Sequence, residues 1–204
     1  MKRPTITVFG SGLPKWGDSH YAEAHTLGME LARRGFAVCS GGYGGVMEAA
    51  CRGAKSAGGS TIGVTSNFFA TSANAWIDKE ICVKHWRDRL FQLVELGHGY
   101  VVCRGGTGTL VELAVVLEMI NKKVMRARPV VTMGDFWRPV IQCVSKIENA
   151  RYPGGKAGKR FSPIRLAKSP LDAVEFLAEH FGLSPRIKGS SVRLRPRTHG
   201  KPNR

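Results

Sequence analysis

The chain has no apolar stretch approaching the roughly 18 residues that a membrane-spanning helix needs, and it has no Cys-x-x-Cys pair. Its five cysteines (Cys39, Cys51, Cys82, Cys103 and Cys143) stand singly, mostly at the ends of apolar runs. An odd count without pairs argues against a disulfide framework and for buried thiols in a reducing compartment. The first residues run at once into an apolar β-branched segment, Ile6 to Phe9. No signal peptide is therefore visible, and the expected compartment is cytoplasmic, with no membrane involvement. No His/Cys/Asp cluster has metal-ligand spacing. No metal and no cofactor is expected, and His85 and His98 read as surface or satisfied residues.

Acid is scarce as well. The 204 residues hold 15 Asp and Glu against 31 Lys and Arg, a net charge of +16. Seven of the cations (Arg186, Lys188, Arg193, Arg195, Arg197, Lys201 and Arg204) fall in 186–204, which contains no acid. That segment is rich in Gly, Pro and Ser and poor in apolar residues, so it is expected to be a disordered tail. It lacks aromatics for stacking on bases, so its contact with polyanions would be nonspecific and salt-sensitive. The body keeps an excess of cations without it, which suits an anionic ligand. The length fits a single domain over 1–185 followed by the tail.

What the chain does have is a regular alternation of short apolar runs and helical patterns. Strand-like segments at 5–9, 36–39, 61–64, 81–83, 100–103, 129–133 and 164–166 alternate with helical spacing at 21–34, 46–57, 86–96, 109–121, 137–149 and 170–181. Residues 66–78 and 153–160 read as loops. Strands separated by helices of ten or more residues predict βαβ units, hence an α/β, Rossmann-like, doubly wound parallel sheet with helices on both faces. Ligands of such sheets bind outside the carboxyl ends of the strands.

Three strand-to-helix turns are rich in glycine: 10–12, 41–45 and 105–108. Glycine lets a backbone approach a ligand closely, and free N–H groups at a helix start favour an anion. The candidate phosphate-binding residues are accordingly Gly10, Ser11, Gly41, Gly42, Gly44, Gly105, Gly106, Thr107, Gly108 and Thr109. No Gly-Lys-Ser/Thr follows the glycines, which excludes a P-loop. The dinucleotide fingerprint G-x-G-x-x-G fails too, because Lys15, Met47 and Val111 stand at its last position. A mononucleotide phosphate fits better. A carboxylate, Glu112, lies just beyond the third turn, although it repels the group such a turn attracts. That placement suggests chemistry beside the phosphate.

The strings Phe9-Gly10-Ser11-Gly12, Ser40-Gly41-Gly42-Tyr43-Gly44-Gly45-Val46-Met47 and Gly105-Gly106-Thr107-Gly108-Thr109-x-x-Glu112 together resemble a known family over roughly residues 5–180. It is the one long labelled "lysine decarboxylase-like" and better described as the cytokinin riboside 5′-monophosphate phosphoribohydrolases, the "Lonely guy" proteins. Its hallmark is P-G-G-x-G-T-x-x-E with an Arg fifteen positions before the Pro; here Arg104 stands at the Pro, and Arg89 falls on the Arg. The resemblance implies a Rossmann-like homodimer that hydrolyses the N-glycosidic bond of a nucleoside 5′-monophosphate, AMP or an N6-modified adenine nucleotide. Free base and ribose 5-phosphate are the implied products, and Arg89 and Glu112 the catalytic pair. Arg104 for Pro, Leu90 for the usual Lys and Val111 for the first of two acids are departures. The same fold resembles molybdenum-cofactor carrier proteins, which hold a phosphate-bearing pterin without turning it over; a carrier needs the glycine turns but not the Arg–Glu pair.

The residues support the pairing without the family. The helices at 86–96 and 109–121 both start at the carboxyl edge of the sheet, so neighbouring crossovers bring Arg89 and Glu112 toward one cleft. An oxocarbenium-like centre needs negative charge or a base for water, and a cation serves a departing base or a phosphate. Spacing leaves open which residue does which. Thr109-x-x-Glu112 also reads as a capping box, and Arg89 stands in a charge cluster of the kind usually solvated. Trp86 and Tyr43 lie near the edge, where either could stack on a base.

Overall fold

The computed structural model describes residues 3–150 and 164–183. Its seven strands are β1 (Thr5–Phe9), β2 (Ala37–Ser40), β3 (Thr61–Ser66), β4 (Lys79–Val83), β5 (Gly99–Val102), β6 (Val130–Met133) and β7 (Arg165–Ala167). They form one sheet in the order β4-β3-β2-β1-β5-β6-β7, every pair parallel. Six helices connect them: α1 (Ser19–Arg33), α2 (Val46–Ser56), α3 (Trp86–Leu96), α4 (Thr107–Asn121), α5 (Arg138–Ala150) and α6 (Pro170–His180). This is the doubly wound Rossmann-like α/β architecture that the alternation predicts.

Strand side chains alternate across the sheet, and both faces are buried. Ile6 and Val8 of β1 face a core shared with α1, α2 and α6. Phe9 points the other way, with Tyr100 and Val102 of β5, into a core built with α3, α4 and α5. The chain leaves β1 toward β4 and then returns to add β5 on the other side of β1. The direction of winding therefore reverses between β1 and β5, and a crevice opens there beyond the strand ends. Two backbone hydrogen bonds fasten its floor: Cys103 N–H to the Phe9 carbonyl (2.9 Å) and Ser11 N–H to the Arg104 carbonyl (3.1 Å).

Helices α1 and α2 approach backbone to backbone. A Cβ on Gly28 would collide with the Ala50 carbonyl, and one on Gly53 with the His25 carbonyl. These two glycines are required by helix packing rather than by any turn.

Three expectations are corrected. Helix α4 begins at Thr107, not Thr109, because Gly106 with φ −94° and ψ −155° takes the N-cap position. Glu112 therefore lies in the second turn, and the Thr109–Glu112 capping box does not exist. The thiols are not all buried: Cys39, Cys51 and Cys103 are, whereas Cys82 on the edge strand β4 and Cys143 on α5 are exposed. Strand β4 also begins two residues before the apolar run that marks it, at Lys79. His98 is a satisfied residue, its Nδ1 accepting the Thr5 N–H at 3.1 Å. Among the described residues no helix is long and apolar enough to cross a membrane, and no group of His, Cys, Asp and Glu could hold a metal ion. The expected loop at 153–160 and the tail at 186–204 lie outside the described residues.

Candidate functional site

A cleft of about 370 Å³ opens at the winding reversal, floored by Gly10, Ser11 and Gly12 after β1 and walled by the start of α4. Helix α4 starts with Gly106, Thr107, Gly108 and Thr109 on the cleft wall. The first N–H groups of a helix have no acceptor within it. Here no side chain caps them and no acid lies in the first turn. Together with the helix dipole, that makes a place for an anion.

Arg89 comes in from α3. Arg87 and Asp88 just before it are surface charges, but Arg89 itself is only 8% exposed. Burial costs a guanidinium its hydration, so its donors are matched: Nε donates to the Val64 carbonyl and Nη2 to the Gly41 carbonyl, both at 2.8 Å. Nη1 takes no protein acceptor among the described residues, and the residue borders the cleft. The guanidinium carbon lies 5.1 Å from the Tyr43 ring centre and 5.6 Å from that of Phe69, within cation–π range. Tyr43 is held in turn by Ser66, whose N–H it accepts (2.9 Å) and whose carbonyl it donates to (3.2 Å).

Glu112 reaches the same cleft from α4. Burial among the cleft walls pushes its pKa up from an ordinary 4.5 to about 7, and the positive charge of Arg89 opposes that rise. Burial also lowers the pKa of Arg89, against the pull of Glu112. No ion pair within 4.0 Å joins the two. They share a field, with the cleft available to a reacting group. A carboxyl with a pKa near neutrality beside a fixed cation is equipped to exchange a proton.

Of the sequence candidates, the cleft gathers Arg89, Glu112, Gly10, Ser11, Gly106, Thr107, Gly108 and Thr109. Gly41, Gly42, Gly44 and Gly105 lie off it. The second glycine turn spends its backbone groups internally. Gly41 supplies a carbonyl to Arg89, the Gly42 N–H goes to Ser40 Oγ (3.2 Å), and the Val46 N–H goes to the Ser11 carbonyl (2.9 Å). A Cβ on Gly41 would also displace the Arg89 guanidinium. That turn therefore seats the arginine. Gly105 makes room for the Thr109 side chain. Tyr43 and Trp86 do border the cleft, with Met47, Phe69 and Leu90. Met47 closes the second glycine string but was not expected to line a site, and Phe69 had no mark in the sequence because it falls in a stretch readable only as a loop.

Comparison with known proteins agrees with this fold. A protein of Archaeoglobus fulgidus described only as uncharacterized is 31% identical over 133 residues, 65% of this chain and 85% of that one. The molybdenum cofactor binding protein from the phototrophic bacterium Rippkaea orientalis superposes with a TM-score of 0.71 at 25% identity, over 89% of this chain and 99% of that one. The molybdenum cofactor carrier protein from Chlamydomonas reinhardtii gives 0.68 at 25% identity and the same coverage. A family model matches residues 3–150, which hold the crevice, both catalytic candidates and all three glycine turns, and on that match the chain belongs to the SLOG cluster4 family.

Proposed function

We propose that the protein is a nucleoside 5′-monophosphate phosphoribohydrolase acting on AMP or an N6-modified adenine nucleotide. The observation that carries this reading is the half-buried Glu112, with its pKa near 7, facing the same cleft as Arg89. The 5′-phosphate binds the N–H groups at the start of α4, and the base lies among Tyr43, Phe69 and Trp86. Hydrolysis breaks the C1′–N bond, whose electron pair leaves with the base, and forms a C1′–O bond to water. Glu112 as carboxylate takes the proton that the attacking water gives up, and the departing base takes up a proton from solvent, so that water is added across the C1′–N bond. Its raised pKa makes it a stronger base than an ordinary glutamate, and Arg89 keeps part of it ionised near neutral pH. The Arg89 charge also opposes loss of the Glu112 proton acceptor when an anionic phosphate enters. Exposed apolar residues on α3 (Phe91) and α4 (Leu110, Val111) support a homodimer.

The test is incubation with a panel of nucleoside monophosphates, scored for free base and ribose 5-phosphate. AMP should be turned over and adenosine far more slowly. The loss should appear in kcat as well as KM, because remote phosphate binding is used at the reacting bond. Equal kcat/KM for AMP and adenosine would sink the phosphate assignment.

The two solved relatives at 25% identity favour a second reading, a carrier of a phosphate-bearing ligand such as molybdenum cofactor. A carrier binds without releasing base, so the same panel separates the two.

A further inference from the structure

Arg104 is the departure from the family pattern that the proposed hydrolysis leaves unused. Its backbone carbonyl ties the β1 and β5 loops together by accepting the Ser11 N–H. Its side chain leaves the catalytic cleft and lines a second cavity of about 450 Å³. The two cavities share Ser11 and Gly106, so they meet at the start of α4. The Arg104 guanidinium carbon lies 4.8 Å from the Phe136 ring centre. Stacking of this kind fixes the plane of the fork and leaves its N–H edges available to an anion. Arg104 takes no carboxylate partner among the described residues, in contrast to Arg165, which is paired with Asp172 at 2.7 Å. The carboxylate on the cavity wall, Asp18, is engaged by the Lys15 N–H at 2.7 Å, and His20 lines the same wall.

A phosphate at the start of α4 would sit at the junction. Any group esterified to it on the side away from the ribose enters the second cavity, where a stacked and unpaired guanidinium lines the wall. We propose that this cavity takes a second phosphate and that Arg104 sets a preference for a nucleoside 5′-diphosphate over the monophosphate. The inference rests on the cleft binding the 5′-phosphate of a nucleotide. It leaves the reacting C1′–N bond where the proposed function puts it.

The experiment is calorimetric titration of the full chain with AMP and with ADP, with divalent metal chelated. It is run in an E112Q background, in which ligand consumption is slowed by about 10²-fold or more. The readout is the ratio of the two dissociation constants. ADP should bind about tenfold tighter, the scale of one charge-assisted hydrogen bond. The ratio should fall to about one in Arg104→Ala and lie between the two in Arg104→Lys, which keeps the charge but loses the fork. A ratio near one before Arg104 is changed overturns the proposal. So does a ratio that Arg104→Ala does not move, and so does failure of either nucleotide to bind. Should Arg104→Ala not fold, the Lys variant and the starting ratio still decide. Base release from AMP by the wild type is scored separately. Its absence would overturn the hydrolase reading while leaving the ADP preference standing.

Discussion

Replacing Glu112 by Gln should make the protein more stable and less active at once, with a dependence on pH that identifies the cause. The Glu112 carboxyl has a pKa of about 7 in the folded chain against an ordinary 4.5, and burial is the first cause. A raised carboxyl pKa means that the folded state holds its proton more tightly than the unfolded state does. The contribution is therefore fully present below pH 4.5, is lost progressively as pH rises to about 7, and is gone above that. The whole interval corresponds to at most about 3 kcal/mol of stability. Gln fills the same space without a charge to desolvate. Relative to wild type, Glu112→Gln should gain little or nothing at pH 4.5 and up to about 3 kcal/mol at pH 8. Urea unfolding at the two pH values measures this. Turnover of AMP by the variant should fall by about 10²-fold or more, the scale of a positioned base. A variant less stable than wild type at pH 8, or a stability difference equal at the two pH values, would refute the reasoning from carboxylate desolvation. Wild-type turnover would refute the catalytic one.

Arg89→Met should raise the Glu112 pKa above about 7, because it removes the charge that opposes burial. Carboxyl ¹³C NMR titration reads this, and an unchanged or lower midpoint contradicts it. The same variant leaves the Val64 and Gly41 carbonyls without donors, at about 1–3 kcal/mol each. Gly53→Ala should cost about 1–3 kcal/mol or more in urea unfolding, because its methyl would land on the His25 carbonyl. A neutral result would mean that α1 and α2 can separate freely. Removal of 186–204 should leave kcat near its original value and weaken retention on DNA at low salt. Each lost phosphate contact should flatten the salt slope by about 0.7–0.9. An inactive truncation would show that the tail belongs to the folded body.

The sheet was legible because its signal is repeated: seven apolar runs, each followed by a turn and, in all cases but one, by a helical period. The exception, 66–78, carries no period, and Phe69 sits there unannounced. The start of α4 was misjudged by two residues because Thr109 looks like a cap, whereas Gly106 needs no side chain to hold an extended backbone. The placing of Arg89 and Glu112 on one cleft was legible because both residues follow parallel strands on one edge. The use of the second glycine turn was not. A glycine that admits a ligand and one that admits a side chain have the same letter, and only the Gly41 carbonyl on Arg89 distinguishes them. Burial of Arg89 was hidden for a related reason, since Arg87 and Asp88 beside it are solvated charges.

The hydrogen bonds from Arg89 to Val64 and Gly41 give that residue a second occupation. It braces the ends of β2 and β3 whether or not any reaction occurs. A chain of this fold that performed no chemistry would still be held to the arginine by its architecture. Nothing comparable holds Glu112, whose ionised form burdens the fold and which closes no cap. Under relaxed selection the glutamate would drift away first, so its persistence across a lineage, rather than that of the arginine, would be the historical record of catalysis.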